Sequence, residues 1–314
     1  MIAPRTGFRL KSPVIAASGT FGYGTEFAAR SDLSGLGAIV CKGTTRHPRT
    51  GNPPLRLAET PAGMLNAIGL QNIGVEAVIR DKAPVWSGWQ VPVLVNVSAT
   101  STDEYVEIVR LLDRVPGVAG IELNISCPNV KEGGVAFGID ARMAAGVTAA
   151  VRVATEMPLV VKLSPNVTDI RAIASAVEGA GADAVSLVNT VFGMAVDVGR
   201  REPLMTNVYG GLSGPAIKPL ALYQVYSVAQ EVSIPIVGVG GIMSADDALE
   251  FLLAGASAVG VATLLLVDPQ GWRRLDEGLN AWCDREGVRS LSQVIGGANP
   301  GFKGRTGELE LTGS

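Results

Sequence analysis

The sequence is poor in histidine and cysteine. Among its 314 residues there is one histidine, His47, and there are three cysteines, Cys41, Cys127 and Cys283. Three widely spaced cysteines argue against a disulfide framework and against a zinc or iron–sulfur cluster, so we expect no metal site and a reducing, cytoplasmic location. His47 lies in a polar loop, TTRHPRTGN, and is not expected to act as the partner of a nucleophilic thiol.

The sequence also lacks a strong charge of either sign and a convincing membrane segment. The formal net charge is -3, which gives no basic footprint for nucleic acid. The first residues have no apolar core with a cleavage site, so we expect no secretory signal. The stretch Phe251–Val267 contains 17 residues without a charge, but Gly255 interrupts it, and we expect a helix end followed by a buried strand.

What the sequence has in abundance is a repeated unit: a short run rich in valine and isoleucine, a polar turn, and an amphipathic helical stretch. Eight runs begin near Val14, Ala38, Val93, Gly120, Leu159, Ala184, Pro235 and Ser257. Helical patterns cover Asp103–Asp113, Arg142–Thr155, Asp169–Glu178, Pro219–Glu231 and Ala245–Ala254. This pattern predicts an α/β fold, a TIM (β/α)8 barrel, with residues 1–314 as a single domain and about 304–314 as a flexible tail.

Three strand-to-helix segments are longer than the others. They are Gly43–Gln71, Ser126–Asp140 and Asn189–Pro215, and all are rich in glycine, proline and asparagine. Nearly every predicted strand also ends in a polar or small residue. Because these ends meet at the C-terminal face of a barrel, we expect the active site there.

A cysteine between two asparagines follows the fourth predicted strand, in the stretch IELNISCPN from Ile121 to Asn129. An unpaired buried amide costs roughly 1 to 3 kcal/mol, so these asparagines are expected to bind something. The alternative is that Cys127 is a small buried apolar residue and Asn129 a turn residue. The position at a strand end favours an active-site loop.

Glycine-rich turns follow the last two predicted strands. The stretch VGGIMS from Val239 to Ser244 supplies two glycines and a serine that can cap the next helix. In TIM barrels this region commonly holds a phosphate. We therefore expect a phosphorylated ligand, which is either a cofactor or the substrate, with Lys42 and Lys162 at the rim facing an electron-rich ring or a second anion.

Nine motifs in chain order resemble class 1 dihydroorotate dehydrogenases over about residues 7–268. The motifs are ASGTFGYG from Ala17, KGTT from Lys42, GNPPLR from Gly51, MLNAIGLQN from Met64, ELNISCPN from Glu122, VKLSPN from Val161, LVNT from Leu187, GGLSGPAIKP from Gly210 and VGVGGI from Val237. The resemblance implies FMN-dependent oxidation of (S)-dihydroorotate to orotate in pyrimidine biosynthesis. It also implies that Cys127 is the catalytic base.

The same resemblance assigns further site residues. For FMN it implies Ala17, Ser18, Gly19, Lys42, Gly43, Asn96, Asn124, Lys162, Val188, Gly214, Gly240, Gly241, Ala262 and Thr263. For the substrate it implies Lys42, Asn66, Ala67, Ile68, Gly69, Leu70, Asn124, Asn129, Asn189 and Thr190. Lys162 would place a cation near the pyrimidine edge of the flavin. The chain departs from the family pattern at Val208 and Tyr209 and at Ala262, where a glycine is expected.

The motifs are more similar to the NAD-linked class 1B than to the fumarate-dependent class 1A. Class 1B implies a homodimer that binds a second subunit carrying FAD and a [2Fe-2S] cluster, which gives a heterotetramer. Three alternatives remain: a class 1A enzyme, a flavoenzyme similar to dihydropyrimidine dehydrogenase, and a barrel lyase in which Lys162 forms a Schiff base.

Overall fold

The computed structural model of the chain describes residue 3, residues 5–126 and residues 137–303. In chain order, the strands are β1 (Val14–Ala16), β2 (Ala38–Val40), β3 (Leu57–Thr60), β4 (Gly63–Asn66), β5 (Val93–Val97), β6 (Gly120–Asn124), β7 (Leu159–Lys162), β8 (Ala184–Leu187), β9 (Val191–Gly193), β10 (Val196–Asp197), β11 (Glu202–Pro203), β12 (Gly210–Ser213), β13 (Ile236–Val239) and β14 (Ala258–Val261). The helices are α1 (Thr25–Ala28), α2 (Val75–Ala77), α3 (Ala83–Trp86), α4 (Thr102–Leu112), α5 (Ala141–Ala154), α6 (Ile170–Gly179), α7 (Lys218–Val228), α8 (Ala245–Ala254), α9 (Thr263–Val267) and α10 (Gly271–Glu286). A π-helical turn, Val78–Lys82, joins α2 to α3, and short 3-10 helices cover Pro215–Ile217 and Leu291–Gln293.

Eight parallel strands form a closed barrel, in the order β1, β2, β5, β6, β7, β8, β13 and β14. The barrel closes where β1 pairs with β14, with Val14 opposite Val259. The predicted TIM barrel is confirmed. Six of the eight predicted strand starts coincide with the first residue of a strand, and Pro235 and Ser257 each precede theirs by one residue.

Alternation along each strand separates the outside of the barrel from its interior. On β6, Ile121 and Leu123 pack in the large core beneath the helices. On β5 and β7, Leu94 and Val160 belong to a smaller apolar cluster inside the barrel. Glu122 has the opposite parity to Ile121 and Leu123, and it therefore points into the barrel interior.

Side-chain caps fix where several barrel helices begin. The Ser101 hydroxyl accepts from the Glu104 N–H at α4, and the Asp140 carboxylate accepts from the Met143 N–H at α5. At α8, Ser244 and Asp247 form a reciprocal capping box. These caps satisfy backbone N–H groups that have no partner within the helix. They place the start of each helix beside the C-terminal face of the barrel.

The uncharged stretch Phe251–Val267 contains the end of α8, then Gly255, then β14 and α9. The predicted helix end and buried strand are confirmed. Across the ranges the structure describes, none of the helices combines the length and apolar character needed to cross a bilayer.

Two long strand-to-helix segments meet above the barrel in an antiparallel sheet with the order β3-β4-β12-β9. We call this the rim sheet. Strands β3 and β4 come from the segment Gly43–Gln71, and β9 and β12 come from Asn189–Pro215. Strands β10 and β11 form a separate hairpin within the second segment. The sequence predicts the extra length of both segments but not their pairing.

At the opposite, N-terminal end of the barrel, a buried acidic residue, Asp183, directly precedes β8. One of its carboxylate oxygens accepts hydrogen bonds from the Leu159 N–H, at 2.8 Å, and from Arg152 Nη1, at 2.9 Å. The other oxygen accepts from Arg5 Nε, at 3.2 Å. Arg152 Nη2 also donates to the carbonyl of Met157, at 2.9 Å. Asp183 is therefore satisfied entirely by the protein.

Candidate active site

A cleft at the C-terminal face of the barrel consists of two adjoining cavities. One is narrow and the other is wider. The residues that line both are Ser18, Asn189, Thr190, Ser213 and Ala262. Because the two cavities share these walls, they form one elongated site.

The narrower end of the cleft is built from glycine turns. Gly240 and Gly241 follow β13 with φ values of +140° and +74°. A Cβ atom on Gly241 would lie 2.8 Å from the carbonyl oxygen of Gly214, so only glycine fits. The turn leads directly to Ser244, the cap of α8. Backbone N–H groups before a helix are suited to an anion such as a phosphate.

Ala262 lies beside these turns, where the resemblance leads one to expect glycine. Its backbone has φ -128° and ψ -78°, outside the left-handed region that only glycine adopts freely. The added methyl group therefore does not meet the penalty of a positive φ at this position. Thr263, the next residue, donates from its hydroxyl to Ser213 Oγ at 3.0 Å.

A polar layer lies between the glycine turns and the wider cavity. Lys162 ends β7 and is only 4% exposed, and its Nζ donates to Ser18 Oγ at 3.4 Å. The same Nζ lies 3.9 Å from Glu122 Oε1. Asn96 Nδ2 donates to that carboxylate oxygen at 2.6 Å. These side chains meet because β5, β6 and β7 are adjacent in the barrel.

Amide side chains continue this layer towards the rim. Asn124 Nδ2 donates to Asn96 Oδ1 at 3.3 Å, and Asn124 Oδ1 accepts from the Ser126 hydroxyl at 2.8 Å. Asn189 Nδ2 donates to Ser126 Oγ at 2.7 Å. Asparagine offers both donors and acceptors from one side chain. The layer can therefore match a ring that alternates N–H and C=O groups.

The rim sheet supplies the outer wall of the wider cavity. Asn66, the last residue of β4, donates from Nδ2 to the carbonyl of Gly211 on β12 at 3.2 Å. The following turn includes Leu70, whose φ is +55°. On the barrel side, burial and the nearby charge of Arg56 lower the pKa of Lys42. An anionic ligand at this wall would favour the protonated ammonium.

Most of the predicted site residues line the cleft. Those that do are Ala17, Ser18, Gly19, Lys42, Gly43, Asn66, Ile68, Gly69, Leu70, Asn96, Asn124, Lys162, Val188, Asn189, Thr190, Gly214, Gly240, Gly241, Ala262 and Thr263. Ala67 does not line it, because its side chain packs with Leu65 and Met205 beneath the rim sheet. Cys127 and Asn129 lie outside the described residues.

Several lining residues have no counterpart in the sequence prediction. They are Thr20, Leu57, Met64, Ser213, Ile217, Val239, Ile242, Gly260 and Leu266. Thr20 and Ser213 lie within the quoted motifs, so the motifs themselves offered a signal. Leu57 and Leu266 are exposed leucines, which carry no signal of their own. Glu122, beneath the cleft, could have been noticed as a charged residue inside an apolar strand.

The donors present fit an elongated ligand with an anionic end and a polar planar ring. The glycine turns and Thr263 suit the anion, and the ammonium and amide layer suits the ring. Thr20 Oγ1 is buried at the wall of the wider cavity and has no hydrogen-bond partner within the part of the chain described. A ligand can satisfy it. The fold and site therefore define a (β/α)8-barrel enzyme whose cleft suits a phosphate-bearing cofactor.

Comparison with known proteins narrows this class. The family model described as "Dihydroorotate dehydrogenase" matches residues 4–282, and the chain belongs to that family. The chain is 54% identical to "Dihydroorotate dehydrogenase B (NAD(+)), catalytic subunit" from Trichlorobacter lovleyi, with 92% of this chain and 95% of that one covered. It is 53% identical to the protein of the same description from Desulforudis audaxviator, with 93% and 95% covered.

One solved structure supports the fold. It is the crystal structure of DHODH in complex with ferulenol from Eimeria tenella, which matches with a TM-score of 0.74 and 23% identity. The match covers 91% of this chain and 85% of that one. At this identity the likeness extends to the barrel architecture.

Proposed function

We propose that this chain oxidises (S)-dihydroorotate to orotate in pyrimidine biosynthesis, with FMN as its cofactor and NAD as the final acceptor. The observation that carries the proposal is the 54% identity, over nearly the whole length, to a catalytic subunit described as dihydroorotate dehydrogenase B (NAD(+)). The cleft supports it, because a glycine-turn end and an amide-lined end lie within one site.

The substrate would occupy the wider cavity. Its carboxylate and ring amides would meet Asn66, Asn189 and Thr190, which all line that cavity. Asn124 would hold the ring from the side of β6. Lys42, which is half-buried at this wall, would provide positive charge for the carboxylate.

FMN would lie along the cleft with its phosphate at the narrower end. The residues that would hold the phosphate are Gly214, Gly240, Gly241 and Thr263, while Ser18, Asn96 and Lys162 would face the ring. When bound, FMN supplies a hydride acceptor. The ammonium of Lys162 is buried, so it would stabilise negative charge on an adjacent ring more strongly than a solvated ammonium could.

Cys127 is the proposed base that removes the proton from the substrate. A thiol with an ordinary pKa near 8.5 can serve as a base when nearby donors stabilise its thiolate. The end of β6 supports this assignment, because Asn124 and Ser126 immediately precede Cys127 and belong to the amide layer. The other two cysteines, Cys41 and Cys283, are buried free thiols. Burial raises the pKa of Cys41 to about 12, which is unsuited to this role.

For the assembly, we propose a homodimer that binds a second subunit carrying FAD and a [2Fe-2S] cluster. The words "catalytic subunit" in the relatives' descriptions support a second subunit. Electrons would then leave this chain for the partner and reach NAD there. The scattered free cysteines support a cytoplasmic location.

The test is a visible spectrum of the purified chain, followed by anaerobic addition of dihydroorotate. We expect an FMN spectrum that bleaches without NAD, and reduction of NAD only after an iron–sulfur flavoprotein subunit is added. Cys127→Ala should keep the spectrum but bleach at least about 10²-fold more slowly, because the proton has no acceptor.

The matched control for that variant is Cys283→Ala, which removes a buried thiol on α10 that lines neither cavity. It should bleach at the wild-type rate. A colourless protein, or bleaching by dihydrouracil instead of dihydroorotate, would contradict the proposed reaction. Direct turnover with fumarate would contradict the NAD-linked assignment alone.

A further inference from the structure

Glu122 is a buried acidic residue that has no role in the reaction proposed above. It is the third residue of β6 and only 3% exposed. Its side chain points into the barrel interior, on the same side of β6 as Asn124, which lies two residues further along the strand. Burying a carboxylate is costly unless it is paired and hydrogen-bonded, so its partners indicate its function.

Those partners come from β5, which pairs with β6, and from β8, which lies two strands away on the other side of β6. Asn96 Nδ2 donates to Glu122 Oε1 at 2.6 Å, and the Ser186 hydroxyl donates to Oε2 at 2.9 Å. Each carboxylate oxygen therefore has one neutral donor. The Lys162 ammonium lies 3.9 Å from Oε1, too far for a good hydrogen bond but close enough for a strong charge interaction.

Glu122 itself does not line either cavity, whereas Lys162 and Asn96 do. The acid therefore lies behind the groups that face the ligand. Lys162 has three N–H donors. Within the described residues, one of them donates to Ser18 Oγ at 3.4 Å. A carboxylate at 3.9 Å holds this ammonium in place while leaving donors for a ring above it.

We propose that Glu122 is a positioning residue that tunes the reduction potential of the bound flavin through Lys162. Its negative charge offsets part of the ammonium charge, and its hydrogen bond orients the Asn96 amide. The inference rests on the proposed function, since it requires a flavin in the cleft. Removing the charge while keeping the hydrogen bonds should leave Lys162 more strongly electropositive, so the ring should accept electrons more readily.

The experiment measures the midpoint potential of the flavin in wild-type protein, in Glu122→Gln and in Lys162→Met by anaerobic dye titration. Glutamine can still accept from Asn96 and can donate to the Ser186 hydroxyl. We expect Glu122→Gln to shift the reduction equilibrium about tenfold towards the reduced form, which is about 30 mV more positive for a two-electron couple. A stability effect alone would not move the potential.

A double-mutant cycle tests whether the effect passes through Lys162. In the Lys162→Met background, Glu122→Gln should shift the potential much less than it does in the wild type. This double variant also leaves no unpaired ammonium, so it can be measured even if Glu122→Gln alone folds poorly. The matched control is Asp183→Asn, which neutralises a buried carboxylate at the opposite end of the barrel and should leave the potential unchanged.

Three results would overturn the inference. They are a wild-type potential in Glu122→Gln, an equal shift in both backgrounds, and an equal shift in Asp183→Asn. With flavin present in the wild type, any of these leaves the proposed function intact. A wild-type protein that binds no flavin would instead overturn the proposed function together with the inference.

Discussion

At the N-terminal end of the barrel the carboxylate of Asp183 accepts from Leu159, Arg152 and Arg5. Towards the C-terminal end, among the residues that the structure describes, the carboxylate of Glu122 accepts from the neutral donors Asn96 and Ser186, and the Lys162 ammonium stands 3.9 Å away. Both acids are buried in the same barrel. The first is held by two guanidinium groups at hydrogen-bonding distance, and the second leaves its lysine with donors to spare. Of these two acids, the tightly paired one lies away from the cleft and the loosely paired one lies directly behind it.

The largest effect expected from this comparison is on stability, in Asp183→Ala. The substitution leaves Arg152 as a buried charge without its acid, and burial already lowers the pKa of Arg152. Breaking such a pair costs about 3 to 5 kcal/mol of unfolding free energy. Urea unfolding checks the loss, and flavin bleaching per folded molecule should stay at the wild-type rate. A slower bleaching rate in Asp183→Ala would show that Asp183 also affects the cleft, which would contradict the difference drawn between the two acids.

The next largest effect is on turnover, in Lys162→Met. The loss of one preorganised cation facing the reacting ring should lower the rate about 10²- to 10³-fold. The unfolding free energy should fall by less than in Asp183→Ala, because Glu122 keeps its hydrogen bonds from Asn96 and Ser186 when the lysine is removed. Among the described residues, the hydrogen bond lost is the one to Ser18. Lys82→Met is the matched control, since Lys82 donates to Thr25 and does not line the cleft. Steady-state rates and urea unfolding of both variants provide the measurement.

The smallest effect is expected on stability, in Asp247→Asn, which adds a fully paired acid at the C-terminal end of the barrel to the comparison. Asp247 accepts from the N–H groups of Met243 and Ser244 and from Lys218 Nζ, at 2.6 Å. Burial alone would raise the pKa of Asp247, but Lys218 and the backbone donors outweigh it and lower that pKa below its usual value. Asp247→Asn should therefore destabilise the protein by about 1 kcal/mol at pH 7.

The sign of the pH dependence follows from the lowered pKa. A carboxyl group whose pKa is lower in the folded state stabilises the protein above its unfolded pKa, near 3.9, and loses that contribution as the pH falls through the folded value. The difference between wild type and Asp247→Asn should thus shrink below about pH 4. Urea unfolding between pH 7 and pH 3 tests this, and a constant difference would contradict it.

The barrel was predictable because its signals are local. Valine- and leucine-rich runs identify β5 and β7, and a serine capping box identifies the start of α8, so the boundaries of each element can be predicted from its own residues. The glycine turn at Gly240 and Gly241 was predictable for the same reason, since a required positive φ selects glycine. The resemblance of the motifs to dihydroorotate dehydrogenases, and not these local signals, implied most of the residues that line the cleft.

The rim sheet was not predictable because its signals are long-range. Strand β3 alternates only between exposed and half-buried residues, and β4 is paired with β12, which lies far along the chain. Neither strand has an apolar run that identifies it alone. The role of Glu122 was not predictable for a different reason. The motif contains the residue, but only the closed barrel brings it beside Asn96, Ser186 and Lys162.

The pairing of β4 with β12 also has a consequence during synthesis. Asn66 leaves the ribosome 145 residues before Gly211, the residue whose carbonyl accepts its hydrogen bond. At usual translation rates of about 5 to 20 residues per second, that interval is roughly 7 to 30 seconds. During this time β4 is paired on one side only, with β3, and the outer wall of the wider cavity is incomplete. The cleft therefore cannot form until most of the barrel has emerged.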